Sequence, residues 1–133
     1  MIIDEKIYTE IIHKIFNEAL KNKNESVIDE YFAKDVVVYD GKLTLHGSDA
    51  LKKNIIDRHQ AIPDLTYVLD DFFISGNKAA FRWHGIGNAT MDFADFKAGK
   101  PVKYWGLSVC EVKDGKIIKN WETSTAIDAV PQG

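Results

Sequence analysis

The chain has one cysteine and three prolines in 133 residues, and no apolar stretch of the length a membrane helix requires. A lone Cys110 excludes an internal disulfide, and the expectation is a protein of a reducing compartment, the cytoplasm. It sits among apolar neighbours in a strand-like run, which suits an inert core thiol better than a nucleophile. Basic charge is also short: 17 Lys and Arg against 20 Asp and Glu leave a net charge of −3, so no field favours nucleic acid or an anionic membrane surface. Met1-Ile2-Ile3 runs straight into Asp4-Glu5-Lys6, which is not a signal-peptide pattern. None of the four histidines stands three or four residues from another and there is no cysteine pair, so no metal site is expected. Phosphate-binding loops and serine-nucleophile elbows are missing too; the glycines at 85, 87, 99 and 106 suit bulges and close approach in a bent sheet.

What remains is an ordinary globular composition, 45% hydrophobic, with periodicities that sort into two halves and fit one domain over residues 1–133. Ile7, Tyr8, Ile11, Ile12, Ile15, Phe16, Ala19 and Leu20 draw an apolar stripe down a helix over residues 4–21. A short helix carrying Val27, Ile28, Tyr31 and Phe32 follows, capped by Asn24 or Ser26. Val36 to Tyr39 is a strand ended by Asp40-Gly41, with Leu43 and Leu45 as a brief partner. A third helix starts from a Ser48 cap and runs to about residue 60, stopped by Pro63-Asp64. Everything after is strand: residues 65–74, 78–90, 103–113 and 116–125, the last two joined by Asp114-Gly115, a tight-turn dipeptide. Helices first and strands last predict an α+β layer fold with one mostly antiparallel, curved sheet packed on the N-terminal helix.

This order of elements, with Ala61-Ile62-Pro63-Asp64-Leu65, Gly76-Asn77-Lys78-Ala79-Ala80-Phe81-Arg82-Trp83, Gly99-Lys100-Pro101-Val102 and Asp114-Gly115-Lys116-Ile117 before Trp121, resembles the nuclear transport factor 2-like superfamily. Within it the match is to the SnoaL-like polyketide cyclase or ester cyclase group. The resemblance implies a cone-shaped (cystatin-like) fold enclosing one pocket, with the outer sheet face used for homodimerisation. It also implies chemistry without cofactor or metal, in which a carboxylate in an apolar cavity moves a proton next to a carbonyl. The cyclases carry that carboxylate four residues after the tryptophan of the last strand. Here that position is Thr125, which cannot accept a proton near neutral pH, and Asp128 follows three residues later. The segment from Phe32 to Asp40 is similar instead to the one that holds the general base of ketosteroid isomerases, with Asp40 at the base. The isomerases' oxyanion tyrosine aligns with Phe16, and their protonated aspartate with Ser108.

The candidates for chemistry are therefore Asp40, Glu122 and His84, each with a structural alternative. Asp40 before a glycine is also a good turn residue. Glu122 faces the pocket if Asn120, Glu122 and Ser124 point inward, and faces away if Trp121, Thr123 and Thr125 do; one bulge exchanges the two sets. His84 shares a face with Arg82, either in the pocket or on the dimer face. Phe16, Tyr39, Trp83, Ser108, Trp121 and Thr125 are the expected lining for a small apolar molecule. Two functions follow: a cofactor-free cyclase or isomerase acting by proton transfer on an apolar carbonyl compound, or a non-catalytic ligand-binding module of the same fold.

Overall fold

The computed structural model describes residues 5–41, 43–94 and 96–126; the position of Asp128 lies outside them. Helix α1 (Glu5–Lys14) continues without a break as a π-helix over Ile15–Lys21. The expected stripe is present as a buried face, Tyr8, Ile11, Ile12, Ile15, Phe16 and Ala19, but its second half is more widely wound than an α-helix, with Asn22 N–H donating to Asn17 O at 3.1 Å. Helix α2 (Ser26–Tyr31) leads directly into strand β1 (Phe32–Asp40), then β2 (Leu43–His46), α3 (Ser48–Ala61), β3 (Thr66–Ser75), β4 (Lys78–Asn88), β5 (Pro101–Lys113) and β6 (Lys116–Ala126). Neither expected cap forms. Ser26 Oγ donates to Asn24 Oδ1 at 2.6 Å and accepts no helix N–H as a cap, and Ser48 is the first residue of α3, preceded by Gly47 at φ +92°. Among the described residues no helix is long and apolar enough to cross a membrane.

The six strands form one curved, unclosed sheet in the order β2-β1-β6-β5-β4-β3, antiparallel at every step except β1 with β6. Helices and sheet bury their apolar faces against each other. Val36 and Val38 of β1, Ala79 and Trp83 of β4, Val102, Tyr104 and Cys110 of β5 and Ile117 of β6 meet Ile11, Ile12 and Phe16 from the N-terminal helix and Leu51 and Ile55 from α3 in one core. Cys110 is buried, and burial pushes its thiol up to about 11, as an inert core thiol requires.

Two irregularities decide which side chains face inward. Between β5 and β6 the register shifts from Val112↔Ile117 to Glu111↔Lys119, leaving Ile118 as an extra residue on β6. Beyond that bulge Asn120 and Glu122 share the inner face with Ile117, and Trp121, Thr123 and Thr125 turn outward. A second shift, between Leu69 and Asp71 on β3, keeps Phe72 facing Phe81 on the inner side.

Candidate active site

One row of paired residues crosses the inner face of the sheet: Phe72 with Phe81, Phe81 with Ser108, Ser108 with Glu122, Glu122 with Asp40, and Asp40 with Leu43. Asp40 belongs there by simple alternation with the buried Val36 and Val38. Glu122 belongs there because of the bulge at Ile118. The parallel pairing of β1 with β6 thus puts two carboxylates on neighbouring strands, about 5 Å apart at the backbone, facing the same cavity.

The cavity holds about 90 Å³ and is lined mainly by Ile12, Phe16, Val38, Leu51, Phe81 and Trp83. Ser108, Asn120, Tyr67 and the α3 residues Asn54 and Arg58 supply its polar groups. At the carboxylates it opens into a wider mouth of about 590 Å³, walled by Leu43, Tyr104, Phe93 and Phe96. Phe93 and Phe96 are held there by mutual backbone bonds of 3.0 and 2.8 Å.

Burial in this apolar setting penalises negative charge. The Glu122 carboxyl is pushed up to about 7, by burial first and by the neighbouring Asp40 charge second; Arg58 and the Asn120 amide act the other way. Asp40 is raised as well, by burial, with Arg58 pulling it partly back. Two like charges on adjacent strands resist ionising together, so the pair holds one proton over part of the neutral range. Asn120 Nδ2 donates to Glu122 Oε1 at 3.1 Å, while its own buried Oδ1 has no partner among the described residues. The opposite amide orientation would offer Oδ1 to a protonated Glu122, so Asn120 can serve either protonation state.

Arg58 donates to Tyr67 Oη at 2.9 Å and to Asn54 Oδ1 at 2.6 Å, and Tyr104 donates its hydroxyl to the same Tyr67 oxygen at 2.5 Å. Burial opposes the Arg58 charge, yet its pKa is raised on balance, through Tyr67, Tyr104 and Glu122, and the guanidinium stays charged. Tyr104 is raised well above its ordinary value, by burial first, and stays protonated. Two glycines make room for the rings. Gly85 lies under the Tyr104 ring and Gly106 under the Trp83 indole, whose Nε1–H donates to Ser108 Oγ at 3.0 Å.

Of the residues expected from sequence, Asp40, Glu122, Phe16, Trp83 and Ser108 come together at the cavity. Tyr39, Trp121, Thr125 and His84 do not. Tyr39 and Trp121 stack on each other on the outer face, ring centres 5.9 Å apart, because the inner positions of β1, and of β6 beyond the bulge, are the even-numbered ones. Thr125 is exposed opposite Trp105, so a carboxylate at that position would face away from this cavity. His84 shares the outer face with Arg82 and pairs with Asp70, Nδ1 to Oδ2, at 2.7 Å. Among the remaining histidines, His59 is buried and bonds Leu20 O through Nε2 at 2.9 Å, tying α3 to the N-terminal helix.

Sequence reasoning missed Arg58, Asn54, Tyr67 and Tyr104. A signal existed on α3: Leu51, Asn54, Ile55 and Arg58 stand at i, i+3, i+4 and i+7, so two polar residues lie on the apolar stripe.

Residues 13–120 match the SnoaL-like domain. The chain belongs to that family. Solved structures share its fold at low sequence identity. A putative polyketide cyclase from Acidithiobacillus ferrooxidans is 21% identical, covering 93% of this chain and 91% of that one, with a TM-score of 0.76. IdmH, a putative polyketide cyclase from Streptomyces antibioticus, is 20% identical, covering 87% and 90%, with a TM-score of 0.75. TsrD from Streptomyces laurentii is 16% identical, covering 92% and 90%, with a TM-score of 0.82. No curated protein matches the sequence. For a SnoaL-like domain the function has to be argued from the site, because the fold serves many activities.

Proposed function

We propose that the protein is a cofactor-free acid–base enzyme of the cyclase or isomerase type, which moves a proton to or from the carbon next to a carbonyl in a small apolar compound. The observation that carries this reading is Glu122: an inward carboxyl, pushed up to about 7 by an apolar cavity and by Asp40 on the next strand. A base with that value is half ionised at neutral pH and gains as much as it can from both protonation states. In the ionised form Glu122 takes the proton; in the protonated form it returns one, with Asp40 holding the shared charge.

Size bears on the substrate. Pockets for whole small ligands run to about 300–1,000 Å³, so a cavity of about 90 Å³ admits one apolar group while the rest of the molecule occupies the mouth. The carboxylates line both spaces, which supports a reacting carbon lying between them. Two structural neighbours described as putative polyketide cyclases are consistent with such a compound.

The test is proton exchange in D2O on a panel of small enolisable ketones, followed by NMR. Exchange by the wild type should rise to a plateau as Glu122 ionises, with a midpoint near pH 7. Glu122→Gln should slow it by about 10²- to 10⁴-fold. Asp40→Asn should lower the midpoint by removing the neighbouring charge. Ligand binding with no exchange above background in the wild type would leave a non-catalytic binding module as the better account.

The outer sheet face is expected to pair with that of a second copy. Leu107 and Val109 of β5 lie beside Trp121 of β6 and Tyr39 of β1, all 38–46% exposed, and together they form an apolar patch of the kind that marks an interface. Sedimentation at micromolar concentration should give a dimer, and Leu107→Asp a monomer; a monomeric wild type would remove the expectation.

A further inference from the structure

We infer that Tyr67, backed by Arg58 and Tyr104, is a binding site for an oxyanion, the group that receives the substrate's oxygen as negative charge develops on it. The inference extends the proton-transfer reading and rests on hydrogen-bond capacity. A hydroxyl has two acceptor sites and one proton. Both acceptor sites of Tyr67 are taken, by Arg58 at 2.9 Å and by Tyr104 at 2.5 Å. Its own proton has no acceptor among the described residues, and the ring lines the cavity. Donation into a phenol oxygen, particularly from a cation, withdraws charge from it and makes its remaining O–H a stronger donor.

Arg58 adds capacity of its own. Of its five N–H groups, one bonds Tyr67 and one bonds Asn54. Among the described residues no ion pair joins Arg58 to a carboxylate. A guanidinium that lines the cavity, stays charged and has no ion-pair partner among the described residues suits an oxygen-rich or anionic group arriving with the ligand.

The donors and the carboxylates come from different elements of one cavity, across which Arg58 acts on both Glu122 and Asp40. Tyr67 and Tyr104 come from β3 and β5 and Arg58 from α3, whereas the carboxylates come from β1 and β6, with β5 and β4 lying between them and β3 in the sheet. When Glu122 takes a proton from the α-carbon, the C–H pair forms the carbon–carbon double bond and the carbonyl π pair moves onto oxygen. Tyr67 O–H and an Arg58 N–H would hold that oxygen, and reprotonation by Glu122 returns the electrons. Donors fixed before the charge appears stabilise it without reorganising. Tyr67 is a catalytic residue in this account, and Tyr104 is a positioning residue that acts through it.

The experiment compares 4-nitrophenolate with 4-nitrotoluene, an uncharged ligand of similar shape, by equilibrium binding at a pH where the phenol is ionised. The measurements are made in a Glu122→Gln background, which removes the ionised carboxylate that would repel an anion in the same cavity, and that protein should prefer the phenolate. Tyr67→Phe should weaken phenolate binding about ten- to hundredfold, the range for a hydrogen bond to a charged group, and leave nitrotoluene within about twofold. Tyr104→Phe should give a smaller loss in the same direction. No phenolate preference in the Glu122→Gln background, or equal losses for both ligands when Tyr67→Phe is added to it, would overturn the inference, the second by making Tyr67 a packing residue only. No turnover is needed, so selective phenolate loss beside a wild type inactive in proton exchange would keep the oxyanion site and remove the enzyme reading alone.

Discussion

Glu122→Gln should make the folded protein more stable at pH 8, by up to about 3.5 kcal/mol, while abolishing most of its proton exchange. Folding moves the Glu122 carboxyl from its ordinary 4.5 to about 7, and each unit is worth about 1.4 kcal/mol. Between those two values the folded state binds more protons than the unfolded chain, so the Glu122 contribution to stability falls as pH rises. The penalty is absent below about pH 4.5, grows through the window and is complete above about pH 7. A neutral amide of the same shape never incurs it, and it can still accept from Asn120 Nδ2. Urea denaturation of both proteins at pH 4.5 and pH 8 measures the difference. A gain at pH 8 that disappears at pH 4.5 is the expected result, and equal stability at both pH values would show that Glu122 is solvated. A group that costs stability in its working protonation state is the pattern expected where function and fold compete.

That conflict was only partly legible in the sequence. The α+β order, the long N-terminal helix and the closing hairpin at Asp114-Gly115 follow from periodicity and turn residues, because each element has a local reason to form. Asp40 could be placed inward from its alternation with Val36 and Val38. Glu122 could not, since its orientation depends on one extra residue at Ile118, and nothing in Lys116-Ile117-Ile118-Lys119 marks which residue bulges out. The same bulge sends Trp121 and Tyr39 outward, where large aromatics had been expected in the pocket. Arg58 and Tyr67 meet only because α3 packs across the sheet, and Tyr67 and Tyr104 only because β3 and β5 flank the same strand, β4. Such long-range pairings leave no spacing signature along the chain. Even so, two polar residues on the apolar stripe of α3 were visible, and a buried polar group is more informative than a buried apolar one.

Gly106→Ala should be among the most damaging single-methyl additions to this fold, at about 3 kcal/mol. A Cβ at Gly106 would stand 2.3 Å from Trp83 Cζ2, 2.6 Å from Cε2 and 2.8 Å from Cη2, distances no packed pair tolerates. The obstacle is the body of a rigid indole, itself only 5% exposed and anchored by its Nε1–H bond to Ser108, so it cannot swing aside as a flexible chain end would. Tyr67 and Tyr104 pack edge-on against the same indole, with ring centres 5.6 and 5.5 Å away, so a displaced Trp83 should disturb the proposed oxyanion site as well. Gly85→Ala is the milder comparison, because its Cβ meets the Tyr104 ring at 3.0 Å. Urea denaturation gives the energies, and near-UV circular dichroism reports the indole's surroundings. Adding Trp83→Phe to Gly106→Ala should recover at least 1 kcal/mol, since the smaller ring removes the atoms in collision, and residues in contact couple on that scale. Strictly additive losses in the double variant would mean that the glycine is needed for its backbone and not for the space above it.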